Sequence, residues 1–268
     1  MESRARRRVS ISRAAETPKA STAFSDANVT RKLSWWQLGA SDYYKDGNAS
    51  PACRGWIHGV GAVVGWCLAI KWHRAGRPVV LVGMLSGKAI VYTGSAAFHL
   101  VCWSAPQAER WALIADVSLV PIAILGGILP FSSVGGLGPN GDLKLGAAVW
   151  LLNCALVGFQ FRRGHRHTPG GSEPRSIVCI LYYLYNEVVA GRAIGFTNPL
   201  WQLTPVLYVS AFLCAGAVDK HREACEEPLV FLHHRKGFWS LHEDFHLILL
   251  IADVFACWLG WNHVLAIA

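Results

Sequence analysis

Residues 240–251 read SLHEDFHLILLI, and this stretch changes from polar to strongly apolar within a few positions. The apolar run continues to about residue 263. A helix of that length, at 1.5 Å per residue, crosses the ~30 Å of hydrocarbon in a bilayer. His242 and His246 lie at the start of the run. Because polar side chains inside a membrane are costly, the position of these two histidines needs a physical reason.

The composition of the whole chain is typical of a protein with several such helices. Of 268 residues, 53% are hydrophobic and 16% are charged, and 12 are tryptophan. Ordinary soluble domains are less apolar and carry more charge. The net charge is +8, but the one dense basic run lies in a short N-terminal tail, so nucleic-acid binding is not indicated. We therefore predict an integral, multi-pass membrane protein whose partners are membrane lipids.

Seven apolar runs predict an all-α fold, a seven-helix transmembrane bundle within residues 53–268. The runs lie near residues 56–72, 78–101, 110–131, 143–161, 176–194, 200–218 and 241–263. The connections are short, so we expect successive helices to be antiparallel neighbours. The eight cysteines include no CxxC pair and fall mostly inside apolar runs, which indicates small core residues rather than disulfides or a thiolate metal site.

The N-terminal segment, residues 1–52, is polar and basic, and we predict a largely disordered cytosolic tail. An interfacial segment is expected near residues 31–46, where tryptophan and tyrosine rings favour the depth of the headgroups. The Arg- and Ser-rich start is also typical of an organelle transit peptide, so that interpretation stays open.

The distribution of Lys and Arg predicts the orientation. With alternating helices, nineteen basic residues lie on the side of the N-terminus and five on the other side. Basic loops are retained on the cytosolic side of membranes. The bias therefore predicts a cytosolic N-terminus and a C-terminus on the opposite side.

Helix alternation also brings five polar residues from separate parts of the chain to one layer. Ser95 and His99 lie near the end of the second helix, Asp116 near the start of the third, and His242 and His246 at the start of the seventh. Residues four apart share a helix face, so two helices each present a polar stripe at this depth. The prediction does not depend on which way the protein faces.

Three imidazoles and one water form a common catalytic zinc site, in which the open position holds the reacting water. Zinc lowers the pKa of that water to ~7. We therefore hypothesise a zinc site with His99, His242 and His246 as ligands. Asp116 would orient or deprotonate the water, and Ser95 would hydrogen-bond beside it.

The histidines have two other interpretations. A lone membrane histidine usually hydrogen-bonds between helices, and an HxxxH pair can also hold haem. Convergence at one depth favours zinc over both. His58 falls in the same layer, and we interpret it as a helix-packing residue rather than as a partner of the metal site.

Three ionisable residues are expected roughly 16 to 20 Å deep, from the rise of 1.5 Å per residue. We predict that Lys88 pairs with Asp253 under the metal site, with Glu187 as a further partner. The alternative is that they line a wet cavity for a substrate headgroup. Glu243 and Asp244 precede the last apolar run, where negative charge near a helix N-terminus is favourable, and are interpreted as caps.

The ordered set of motifs resembles the progestin and adipoQ receptor family and its bacterial haemolysin III-like relatives. That family lies within a membrane-hydrolase superfamily that includes alkaline ceramidases. The carrying residues are SAAFH at 95–99, Asp116 seventeen positions later, HEDFH at 242–246, HGVGA at 58–62 and Pro130-Phe131. The resemblance covers roughly residues 54–268. Val117 departs from it, because an aromatic residue or histidine is usual at that position.

The resemblance implies seven helices with zinc in the cytosolic third, held by His99, His242 and His246. It implies that Asp116 holds the zinc-bound water, with Ser95 beside it. The family includes receptors, and some members resemble enzymes that hydrolyse the amide of ceramide. The expected function is thus a zinc hydrolase of a lipid amide or ester, or a receptor with such a site. The alternative is a signalling receptor or lipid-homeostasis factor in which zinc is structural.

Overall fold

The structure, a computed structural model, describes residues 53, 55–101, 106–162, 174–220 and 241–267. The predicted N-terminal tail, residues 1–52, lies outside this description together with its interfacial segment. Side chains at several helix ends are also outside it, and that of His242 is one of them.

Every predicted apolar run corresponds to a helix, which confirms the all-α prediction. In the part of the chain that the structure describes, the seven long helices are α1 (Trp56–Arg74), α2 (Val79–Leu100), α3 (Pro106–Ile128), α5 (Pro139–Arg162), α6 (Pro174–Ile194), α7 (Pro199–Lys220) and α8 (Leu241–Ile267). A 3-10 turn (Leu129–Phe131) and the one-turn helix α4 (Ser132–Gly135) connect α3 to α5. The described ranges contain no strand.

Within the described ranges, five segments are long and apolar enough to cross a membrane: Val79–Leu100, Trp111–Gly135, Pro139–Gln160, Pro174–Ile194 and Glu243–Ile267. The described apolar part of α7 is shorter, Pro199–Cys214. Large apolar side chains such as Leu151, Leu181, Leu213 and Val254 are exposed on the outside of the bundle. An apolar exterior on helices of this length is what a lipid environment requires. The protein is an integral, multi-pass membrane protein, as the sequence predicted.

Helices α1, α2 and α3 pack in chain order at very short backbone distances. A Cβ added to Gly65 of α1 would lie 3.0 Å from Cβ of Ala89 in α2. A Cβ added to Gly87 of α2 would lie 2.9 Å from the carbonyl oxygen of Ile122 in α3. Glycine at these positions lets helices approach closely, which is the usual way helices pack in membranes.

The other helices do not all follow chain order. Helix α8 packs mainly on α7 and also contacts α1 and α2. Helix α6 packs on α3, α4 and α5 to a similar extent and touches α7 at few points. The expectation that successive helices are neighbours therefore holds for α1 to α3, for α3 with α5, for α5 with α6 and for α7 with α8. It is weak for α6 with α7.

A proline in α3 lies just beyond Asp116. Pro121 has no N–H, so it cannot donate the helical hydrogen bond to the carbonyl of Val117. The buried side chain of Asn153 in α5 donates from Nδ2 to the carbonyl oxygens of Val117 (3.1 Å) and Ser118 (3.3 Å). The Val117 carbonyl, which Pro121 leaves without its helical donor, thus accepts a hydrogen bond from a residue of another helix.

Candidate functional site

Three histidines from three helices meet in the predicted layer. The ring centroids of His58 (α1) and His246 (α8) are 4.0 Å apart, with an interplanar angle of 73°. Those of His99 (α2) and His246 are 5.7 Å apart, at 67°. His58 is 4% exposed and His246 is 6% exposed, while His99 is partly buried. The layer is therefore closed around His246.

Of the three predicted ligands, the structure brings His99 and His246 together. His242 precedes His246 by one helical turn in α8, so its backbone lies on the same side of that helix. Its side chain is outside the described part of the chain.

Glycines at the start of α1 explain why this helix comes so close to α2. Gly55 has φ +82°, and a Cβ there would lie 2.8 Å from Cβ of His99. A Cβ on Gly61 would lie 3.0 Å from the ring of Tyr92. Larger residues would push the helices apart at both points. His58, between these two glycines in sequence, is thereby held inside the layer.

Asp116 lies beside Ser95, one turn of α2 away from His99. The Ser95 hydroxyl donates a hydrogen bond to the Asp116 carboxylate, and the charge of Arg175 at the start of α6 acts on the same carboxylate. A Cβ on Gly94 would lie 4.0 Å from Cα of Asp116, so α2 and α3 pack closely here. The predicted pairing of Asp116 with Ser95 is therefore present.

A buried ionic cluster occupies the next layer. Nζ of Lys88 lies 2.5 Å from Oδ1 of Asp253, which confirms the predicted ion pair. The Tyr92 hydroxyl donates to Oδ2 of Asp253 at 2.5 Å, and the Tyr208 hydroxyl donates to Oδ1. Glu187 is buried nearby and interacts electrostatically with Lys88. The Asp253 carboxylate thus receives three donors from two other helices.

The acidic residues before the last apolar run are in the first turn of α8, as predicted. Glu243 and Asp244 are both buried. Their role as caps stays a prediction, because the residue before α8 lies outside the described ranges.

A family profile described as haemolysin-III related matches residues 47–257. The chain belongs to the haemolysin-III-related family. The matched range includes every predicted site residue, from Ser95 to His246, and also contains His58 and Asp253. The resemblance inferred from the sequence motifs is therefore confirmed.

The histidines of this haemolysin-III-related protein can be compared with what zinc requires. With Zn–N distances of 2.0–2.1 Å, two imidazoles on one tetrahedral ion have ring centroids about 5 Å apart. The 5.7 Å between His99 and His246 is close to that value. The 4.0 Å between His58 and His246 is shorter, as expected for rings that pack against each other. The centroid spacing of His99 and His246 is therefore close to that of two ligands on one ion, whereas that of His58 and His246 is too short.

Within the residues that the structure describes, no group of three or more His, Cys, Asp or Glu side chains is arranged to hold a metal ion. The side chain of the third predicted ligand, His242, lies outside the described part of the chain. Both ring nitrogens of buried His58 lack a hydrogen-bond partner in the described ranges.

Three features of the layer were not predicted from the sequence. They are the contact of His58 with His246, the contact of Tyr92 with His58, and the proximity of Arg175 to Asp116. His58 was assigned to the right layer, and its interpretation as a packing residue agrees with its ring contacts. The glycines around it were the available signal that α1 approaches α2 closely.

Proposed function

We propose that this protein is a zinc-dependent hydrolase of a lipid amide or ester, acting within the membrane. The observation that carries the proposal is the meeting of His99 and His246 beside the hydrogen-bonded pair of Ser95 and Asp116. Two imidazoles at the spacing of ligands on one ion, beside a carboxylate that can act as a base, support a metal-hydrolase site that a third histidine, His242, would complete.

His99, His242 and His246 would hold the metal. Zinc, when bound there, supplies a Lewis acid that polarises a carbonyl group and lowers the pKa of water. Asp116 acts as the general base and accepts the proton of the attacking water. Ser95 donates its hydrogen bond to Asp116 and so fixes the orientation of that carboxylate.

Hydrolysis adds the water oxygen to the carbonyl carbon and breaks the C–N or C–O bond of the lipid. The proton taken up by Asp116 then passes to the departing amine or alcohol. Burial of Ser95 and His246 limits bulk water in this layer, which strengthens the hydrogen bond that the Asp116 carboxylate would accept from the attacking water.

The first experiment measures metal content by mass spectrometry on detergent-purified protein. About one zinc per chain is expected in the wild type, as in structural and catalytic sites with a single ion. The variant His246→Ala should lose the zinc. His73→Ala is the matched control, because His73 is exposed at the far end of α1 and should retain it. A well-folded wild type without zinc would contradict the proposal.

The second experiment separates catalysis from a structural role of zinc. Asp116→Asn should keep the zinc and the fold but lower hydrolysis of N-acyl and ester lipids by about 10²- to 10⁴-fold. Unchanged function of Asp116→Asn, with histidines needed only for folding, would instead favour a receptor or lipid-homeostasis factor with structural zinc.

A further inference from the structure

We propose that Tyr92 and His58 are positioning residues that hold the His246 imidazole in place by connecting it to the buried Lys88–Asp253 ion pair. The effect of these residues on zinc binding rests on the proposed function, whereas the contacts that they make do not.

The first contact is between His58 and His246. Their rings meet edge to face at 4.0 Å, and both are buried. Neither nitrogen of His58 has a hydrogen-bond partner in the described ranges. No described hydrogen bond therefore fixes the orientation of the His58 ring, and its ring contacts have to do so.

The second contact is between Tyr92 and His58. Their ring centroids are 5.2 Å apart, with an interplanar angle of 45°. Tyr92 is 5% exposed, and its ring lies against α1 at Gly61, where an added Cβ would come within 3.0 Å. Tyr92 therefore has little room to move, and His58 packs against a rigid surface.

The third contact anchors Tyr92 itself. Its hydroxyl donates to Oδ2 of Asp253 at 2.5 Å, while Lys88 and Tyr208 donate to Oδ1. Hydrogen bonds to an ionised carboxylate are about twice as strong as neutral ones. The hydrogen bond from the Tyr92 hydroxyl to Asp253 thus fixes the Tyr92 ring, against which His58 packs.

These contacts connect α8, α2 and α1 and then return to α8, and we refer to them together as the circuit. Asp253 and His246 are seven residues apart in α8, so they lie on one side of that helix, two turns apart. The circuit leaves α8 at Asp253, passes through Tyr92 in α2 and His58 in α1, and returns to α8 at His246. The ion pair therefore limits the rotation of a predicted metal ligand that it does not touch.

The test uses Tyr92→Phe, which removes one hydroxyl and keeps the ring. Zinc affinity of the purified full-length protein is measured by competition with a chelator, and the Co²⁺-substituted protein is examined by absorption spectroscopy. Zinc binding should weaken by about 10- to 100-fold, as for other residues that orient metal ligands. The Co²⁺ spectrum should change as well, because the geometry at the metal changes.

Tyr185→Phe is the matched control. The Tyr185 hydroxyl also donates to a buried carboxylate, that of Asp142 at 2.6 Å, but it lies outside the circuit. Its loss should leave zinc affinity unchanged. His58→Ala should weaken zinc binding like Tyr92→Phe, and the double variant should be no weaker than His58→Ala, because Tyr92 acts through His58.

Equal zinc affinities of Tyr92→Phe and Tyr185→Phe, or additive losses in the double variant, would overturn the inference. If the wild type binds no zinc, the proposed function fails, and labelling of His246 with diethyl pyrocarbonate decides the inference. Mass spectrometry should then show several-fold faster labelling of His246 in Tyr92→Phe than in wild type and Tyr185→Phe. Equal labelling rates in the three proteins would refute the positioning role.

Discussion

Replacing Lys88 with methionine removes one partner of an ion pair buried inside the bundle. Lys88 and Asp253 are both more than nine-tenths buried, and Nζ lies 2.5 Å from Oδ1. Methionine has a similar length and no charge, so it fills the space of the lysine chain. The change therefore isolates the loss of the ammonium group, which leaves the Asp253 carboxylate without its counter-charge.

Breaking a buried ion pair from one side typically costs about 3–5 kcal/mol of folding free energy. Asp253 keeps two hydroxyl donors, Tyr92 and Tyr208, so we expect the lower end, about 3 kcal/mol. For a chain of this size, that corresponds to a fall in Tm of about 6 to 12 °C. Lys88→Met combined with Asp253→Asn removes both charges, and this double variant should recover at least about 1 kcal/mol.

Thermal unfolding in detergent, followed by tryptophan fluorescence, measures the effect. Lys144→Met is the control, because Lys144 is exposed at the start of α5 and its replacement should change Tm little. A Tm of Lys88→Met within about 2 °C of wild type, under 1 kcal/mol on the same scale, would refute the reasoning. Loss of activity without loss of stability would instead favour a wet cavity that binds a substrate headgroup.

Two further predictions concern helix packing and use the same unfolding assay. Asn153→Leu leaves the Val117 carbonyl unsatisfied and should lower the free energy of unfolding by about 1–3 kcal/mol. In a Pro121→Ala background, which restores the helical N–H, the same change should cost less. An equal loss of stability in both backgrounds would contradict this account. Gly87→Ala places a Cβ 2.9 Å from a backbone oxygen and should lower the free energy of unfolding by about 1–3 kcal/mol. Gly158→Ala is the control, because its Cβ meets open space and should not destabilise the protein. Equal stabilities of the two alanine variants would show that the close approach is not needed.

Depth in the membrane was the part of the structure that the sequence predicted well. Chain alternation and a rise of 1.5 Å per residue fix how deep each residue of a spanning helix lies. This placed Lys88 and Asp253 at one depth although 165 residues separate them, and the ion pair is present. The same argument placed Ser95 and Asp116 together, and they are hydrogen-bonded.

Lateral arrangement could not be predicted in the same way. Which helices touch, and which way each faces, depends on side-chain packing and close backbone approach rather than on membrane thickness. The weak contact of α6 with α7 and the position of the His58 ring against His246 both belong to this class. The glycines of α1 indicate a close approach, but they do not identify which residues of α2 and α8 they meet.

The wide sequence separation of Lys88 and Asp253 has a consequence for biosynthesis. At ~5–20 residues per second, a ribosome needs roughly 8 to 33 s to add the 165 residues between them. During this interval α2 carries an unpaired ammonium group, which disfavours its insertion at the bilayer centre by about 3 kcal/mol. Its ion-pair partner, Asp253, arrives only with α8. A nascent chain that ends before α8 would therefore hold Lys88 in the membrane without its ion-pair partner.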